Sequence, residues 1–293
     1  MRSFKSFIII LFLSVSFKSF GQGQILESLG IQSKLIGKNM KYSVYLPQGY
    51  TGSSRSYPVL YLLHGYTDNE TGWTQFGEIE HIANEMIADG DATPMIIVMP
   101  DGGVSWYINN FDKSMPYEDY FFQEFMPYIE STYRIKKEKK FRAVAGLSMG
   151  GYGSFMFAIK HPDLFSYCAP LSAAFFEEKS AINTPQASYD RTFSILYGPG
   201  LTGAARINDT YKANDPFRFV SDTMNTKKIK TVKFYLDCGD DDFLSQANAA
   251  MHILLKEKGI PHEFRMRDGV HDWTYWRYSI KDVLKVITKG FHQ

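Results

Sequence analysis

From about residue 40 onward the chain alternates between short apolar runs and stretches with helical spacing. KYSVYLP reads as a strand, and YPVLYLLHG is a continuous apolar run ended by glycine. PMIIVMPDGG, FRAVAG, FSYCAPLS and VKFYLDCG follow the same plan. Runs of this kind, apolar at every position rather than at alternate ones, fit strands covered on both faces. HEFRMRDG reads as a last strand. Between these runs the spacing predicts helices near 78–88, 117–133, 148–162, 244–258 and 273–289. In the second of them Phe121, Phe125, Ile129 and Tyr133 fall on one face. Strands alternating with helices imply a mostly parallel central sheet with helices on both faces, the α/β class. The alternation breaks once, between about residues 173 and 230, where NTPQASYD, LYGPGLTGAAR and NDPF are rich in turn formers. That segment is expected to be an insertion of loops and short helices that serves as a lid or binding wall.

The first residues follow a different pattern. Arg2 and Lys5 precede an almost wholly apolar run from Phe7 to Phe17, too short to span a bilayer, and Ser19-Phe20-Gly21 then offers small residues. This predicts a signal peptide over residues 1–21, export to the periplasm or medium, and one catalytic domain over 22–293. After cleavage no stable membrane insertion is expected.

Charge narrows the partners. The whole chain has 32 basic and 31 acidic residues; without the three cations of the leader 29 face 31, a net −2. Apart from KKEKK at 136–140 there is no basic cluster, so nucleic acid is not an expected partner. Two cysteines in a chain of 293 residues do not make a disulfide scaffold. Cys168 and Cys238 both lie in strand-like runs and read as buried thiols, although neighbouring strands would also allow a bridge. No Cys/His spacing suggests a metal site, and no cofactor is expected.

In an open parallel sheet, ligands gather at the carboxyl ends of the strands. His64-Gly65-Tyr66, Asp101-Gly102-Gly103, Ser148, Asp237 with Asp240 to Asp242, and His271 all fall there. VAGLSMGG sets Ser148 between strand and helix with Gly146 two residues before and Gly150 two after. Such a turn projects the hydroxyl outward and places it at a helix N-terminus, with the Met149 N–H free to meet an oxyanion. Of seven histidines only His271 lies on the loop after the last strand, which makes it the expected base. The orienting acid should lie beyond its strand, which leaves Asp241 and Asp242 open. Trp73, Trp106, Tyr107 and Phe111 follow strand ends and are candidates for the lining of a sugar or aryl pocket; ordinary packing is their alternative role.

Taken together, YSVYLPQGY, VLYLLHGYTDNETGW, PMIIVMPDG, GLSMGGYGSF, CGDDDFL and GVHDWTYWR resemble the esterase D-like branch of the α/β-hydrolases. They are most similar to its secreted feruloyl and acetylxylan esterases. The resemblance covers nearly the whole chain after residue 21. It implies the α/β-hydrolase fold, a catalytic Ser148, Asp242 and His271, and a second oxyanion donor at the Tyr66 N–H. It also implies esters on cell-wall polysaccharide as substrates, with feruloyl preferred to acetyl. Two features depart from the family pattern. Three consecutive aspartates fill the acid loop, which keeps Asp241 as an alternative, and Val270 stands where a second glycine usually precedes the histidine. A general short-chain carboxylesterase and an acyltransferase of the mycolyltransferase type share the same first half-reaction. A catalytically dead sugar-binding module would not be expected to retain all three reacting groups.

Overall fold

The computed structural model describes residues 22–292, so the expected signal peptide lies outside the described residues. The strands are β1 Gln24–Gln32, β2 Asn39–Leu46, β3 Val59–Leu63, β4 Ile96–Pro100, β5 Arg142–Leu147, β6 Tyr167–Leu171, β7 Lys233–Gly239 and β8 His262–Arg267. They form one sheet in the order β1-β2-β4-β3-β5-β6-β7-β8. The pairs β1/β2 and β2/β4 are antiparallel and the rest are parallel.

Every residue of β3, β4, β5 and β6 is buried, as their apolar runs require; the one charged member, Arg142 at the start of β5, is paired with Glu130. Side chains still alternate between faces. Val59, Tyr61 and Leu63 join one core with Phe121, Phe125 and Phe155, whereas Leu60 and Leu62 join the other with Ile79, Ile82, Ile280 and Val283. Helix Ile79–Ala88 and the C-terminal helix Trp273–Phe291 cover one face; Met149–Lys160 and Ser245–Glu257 cover the other.

Three local findings refine the expected pattern. β1 is a strand that the apolar pattern does not predict, because its half-exposed sequence QILESLGIQ carries no sustained apolar run; it is an edge strand with a register shift between Leu26 and Leu29. The helical stretch after residue 116 is continuous in direction but contains a wide turn at Phe121–Phe125, between Tyr117–Tyr120 and Met126–Thr132. Phe121, Phe125 and Ile129 are buried on the expected face. Cys168 and Cys238 are free, buried thiols, and burial raises the pKa of both.

The 173–230 insertion consists of short helices, among them Glu178–Asn183, Gln186–Thr192, Pro216–Ser221 and Thr223–Ile229. Arg206, 3% exposed, ties several of them together. Its guanidinium donates to the carbonyls of Leu201 at 3.1 Å and Ala181 at 3.1 Å and to the Gln186 side chain at 2.8 Å, and it lies 4.4 Å from the centre of the Tyr189 ring. No helix among the described residues is long and apolar enough to cross a membrane.

Candidate active site

The turn after β5 is built by steric exclusion. Ser148 has φ 54 and ψ −116, a conformation that non-glycine residues rarely adopt and that neighbouring structure must enforce. Its N–H donates to Leu171 O at 2.9 Å, and its carbonyl accepts from Tyr152 N at 3.0 Å and Ala174 N at 2.9 Å. A Cβ at Gly146 would stand 2.4 Å from Gly150 O, and one at Gly150 would stand 2.5 Å from the carbonyls of Leu63 and His64. Both positions therefore admit only glycine if β3, β5 and the helix are to close on one another.

Three side chains that are distant in sequence meet above this turn. His271 Nε2 lies 3.0 Å from Ser148 Oγ, and its Nδ1 lies 2.7 Å from Asp242 Oδ2. With the proton on Nδ1 facing the carboxylate, Nε2 is left to accept from the serine hydroxyl. Asp242 is 2% exposed, and its second oxygen accepts the Leu244 N–H at 2.8 Å. Burial alone would raise its pKa, but hydrogen bonds from His271, Leu244 and Ser172 outweigh burial and hold the carboxyl below the usual range. Asp241 is exposed and makes no such contact; its N–H donates to Gly269 O at 3.1 Å. Asp240 Oδ1 accepts the Gly269 N–H at 3.1 Å, so the first two aspartates stitch the acid loop to the histidine loop while the third meets the imidazole.

The loop after β3 lies against the serine. A Cβ on Gly65 would come 3.7 Å from Ser148 Cβ. Among the described residues the backbone N–H groups of Tyr66 and Met149 donate to no other backbone group; Met149 follows the serine directly and Tyr66 follows Gly65. Met149 opens its helix, where N–H groups are free and the helix dipole is positive.

The expected pocket aromatics separate into two groups. Trp73 and Tyr107 are 1% and 0% exposed and offer no surface to a ligand, which corrects their assignment as substrate contacts. They hold the end of β3 instead: Trp73 Nε1 donates to Leu63 O at 3.0 Å, and the Tyr107 hydroxyl accepts His64 N–H at 2.9 Å and donates to His64 O at 3.0 Å. Trp106 is buried as well, at 4% exposed, but packs among other rings instead of bonding to β3. It contacts the rings of Tyr66 and Tyr152 and those of Phe176 and Phe193 from the insertion, and its buried indole N–H has no hydrogen-bond partner.

Several supporting residues were missed from sequence. His64 Nε2 accepts the Gly102 N–H at 2.8 Å and its Nδ1 donates to Gly65 O at 2.8 Å, fixing the loop that bears Tyr66. Trp276 packs edge-on to His271 at 4.8 Å and donates to Ser172 Oγ at 3.1 Å. Asp237, fully buried, accepts from Tyr235, Arg267, Tyr275 and Ser279 beneath the histidine loop. The cue for His64 and Asp237 was position at a strand end, which does not itself reveal a role; Trp276 lies within the C-terminal helix and carried no such cue. Asp240, Asp241 and Asp268 bring carboxylate oxygens within 4.8 Å of one another at the exposed rim, the one carboxylate group among the described residues with metal-ligand spacing. Exposed acidic groups of this kind are commonly just solvated.

Comparison with known proteins bears on the family and the fold. A family model described as putative esterase matches residues 33–287. An endo-1,4-beta-xylanase/feruloyl esterase of Xylanibacter ruminicola is 34% identical over 178 residues, 58% of this chain but only 24% of that protein. An acetyl esterase of Caldicellulosiruptor saccharolyticus is 25% identical over 89% of this chain and 97% of its own length. A solved ferulic acid esterase superposes with TM-score 0.78 at 31% identity, covering 92% of this chain and 99% of that one.

Proposed function

The chain belongs to the esterase family whose model it matches and has the α/β-hydrolase fold, and from that premise we propose that it is a secreted serine esterase acting on plant cell-wall polysaccharide. Its substrates in this reading are feruloyl or acetyl esters carried on a polysaccharide such as xylan, and residues 22–293 act as one catalytic domain. The observation that carries the proposal is the hydrogen-bond chain from Ser148 through His271 to Asp242.

The reaction runs in two halves. His271 Nε2 takes the Ser148 proton as Oγ attacks the ester carbonyl. The N–H groups of Tyr66 and Met149 stabilise the negative charge that develops on the carbonyl oxygen. His271 then gives its proton to the departing alcohol oxygen, leaving an acyl-serine. Water attacks that ester, His271 accepts its proton, and the proton returns to Ser148 as the acid leaves. Asp242 remains charged throughout and fixes the imidazole tautomer.

Substrate class rests on three supports: the names of the relatives, the leader-like N-terminus, and the partly exposed Tyr66 ring backed by the buried Trp106. Ser148→Ala is expected to lower turnover of methyl ferulate or p-nitrophenyl acetate on the order of 10⁴-fold or more, measured at saturating substrate. Near-wild-type turnover in that variant would contradict the proposal. Adding sugar acceptors to the same assay separates hydrolysis from acyl transfer.

A further inference from the structure

One large aromatic side chain beside the reacting groups is left in water. Phe243 is 76% exposed, although it follows the buried Asp242 directly. Its ring centre lies 4.6 Å from that of His271. The imidazole is already braced on another side by the buried Trp276, at 4.8 Å and nearly perpendicular. Positioning His271 therefore does not by itself account for a second, exposed ring.

We propose that Phe243 is a carbohydrate-stacking residue that receives the leaving-group sugar of the ester. This inference rests on the proposed esterase function and adds the chemistry of its alcohol side. His271 Nε2 must reach the departing oxygen to protonate it, so whatever that oxygen belongs to lies against the groups flanking the imidazole. The exposed flank is Phe243. In the other aromatic cluster Tyr66, on the loop that bears the oxyanion donor, contacts Trp106, which contacts Phe176 and Phe193 of the insertion.

The surface has the chemical character that a neutral sugar needs. An aromatic face is electron-rich and attracts the polarised C–H groups on the apolar face of a pyranose or furanose. Val270, 47% exposed and directly before His271, adds apolar surface on the histidine loop. Exposed Asp240 and Asp241 beside it can accept hydrogen bonds from sugar hydroxyls. The same carboxylates disfavour an anionic leaving group. The platform is also held in place before binding: Leu244 N–H donates to Asp242 Oδ1 at 2.8 Å, Ser245 N–H to Asp242 O at 2.9 Å, and Asp241 N–H to Gly269 O at 3.1 Å. Little ordering then remains to oppose association.

The test compares matched esters: methyl ferulate with a feruloylated arabino-oligosaccharide, and ethyl acetate with an acetylated xylo-oligosaccharide. In Phe243→Ala the ratio of kcat/KM for the oligosaccharide ester to that for the simple ester should fall about tenfold, chiefly through KM, and Phe243→Trp should restore it. An unchanged ratio would overturn the inference, whether both substrates lose activity equally, because the ring only steadies His271, or neither does. Wild-type protein inert on all four esters would overturn the esterase proposal itself, and this inference with it.

Discussion

Ser148 and Asp242 illustrate two ways in which surroundings fit a side chain for a task. The serine is held at a positive φ that costs energy, of the order of 1–3 kcal/mol, and the close packing of Gly146 and Gly150 enforces it. The aspartate is buried yet kept charged by the donors around it. In the proposed reaction the imidazole needs that charge on Nδ1, so Asp242→Asn should lose several orders of magnitude in kcat while Asp241→Asn stays within a few-fold. Steady-state rates of the two variants decide this, and the reverse ranking would move the acid to Asp241. Stability carries the same signature. Because the folded-state pKa of Asp242 lies below that of an ordinary carboxyl, near 3.9, its ionisation stabilises the fold above about pH 4. That contribution is lost as pH falls through the depressed folded value. Denaturant titrations between pH 6 and 2.5 should show a steeper acid loss in the wild type than in Asp242→Asn. The serine and the histidine could be read from residue order and strand-end position alone, whereas the choice between Asp241 and Asp242 needed family resemblance. Three adjacent aspartates look alike in sequence and differ only in which one the turn after β7 directs inward.

The active groups depend on elements whose purpose sequence did not disclose. Trp73 and Tyr107 read as pocket aromatics because they follow strand ends, yet both are anchors for the end of β3. A tyrosine whose hydroxyl bridges the N–H and carbonyl of one residue cannot be distinguished in a sequence from one that meets a ligand. Tyr107→Phe removes both bonds to His64 and leaves two buried backbone groups unpaired, at a cost of about 1–3 kcal/mol. Thermal unfolding should register that loss, and kcat should fall more than KM rises, because the Tyr66 N–H would be displaced from the oxyanion. The central strands were legible because burial on both faces leaves unbroken apolar runs. The edge strand β1 was not, since half of its side chains face water.

Across the whole molecule the sheet and its helices form the frame, and the insertion over 173–230 packs short helices against Trp106. Its place was visible as a break in the strand and helix alternation; its internal order was not, because it is held by side-chain ties such as those of Arg206, Tyr189 and Asn208 that leave no periodic pattern. Arg206→Met removes the donors that hold the carbonyls of Leu201 and Ala181 and the Gln186 side chain. Limited proteolysis of that variant should cut first within 173–230 while the remaining domain stays intact, and KM for polysaccharide esters should rise. Cleavage at wild-type rate would mean that the aromatic contacts with Trp106 suffice to hold the insertion. Family membership and the fold agree with the frame that sequence implied. The assignment of Ser148 as the nucleophile, activated by His271, is the claim on which the rest depends. Treating the protein with a fluorophosphonate ester and mapping the adduct by peptide mass spectrometry tests it most directly. The account predicts stoichiometric modification of Ser148, abolished in Ser148→Ala and greatly slowed in His271→Ala; modification elsewhere, or at the same rate without His271, would contradict it.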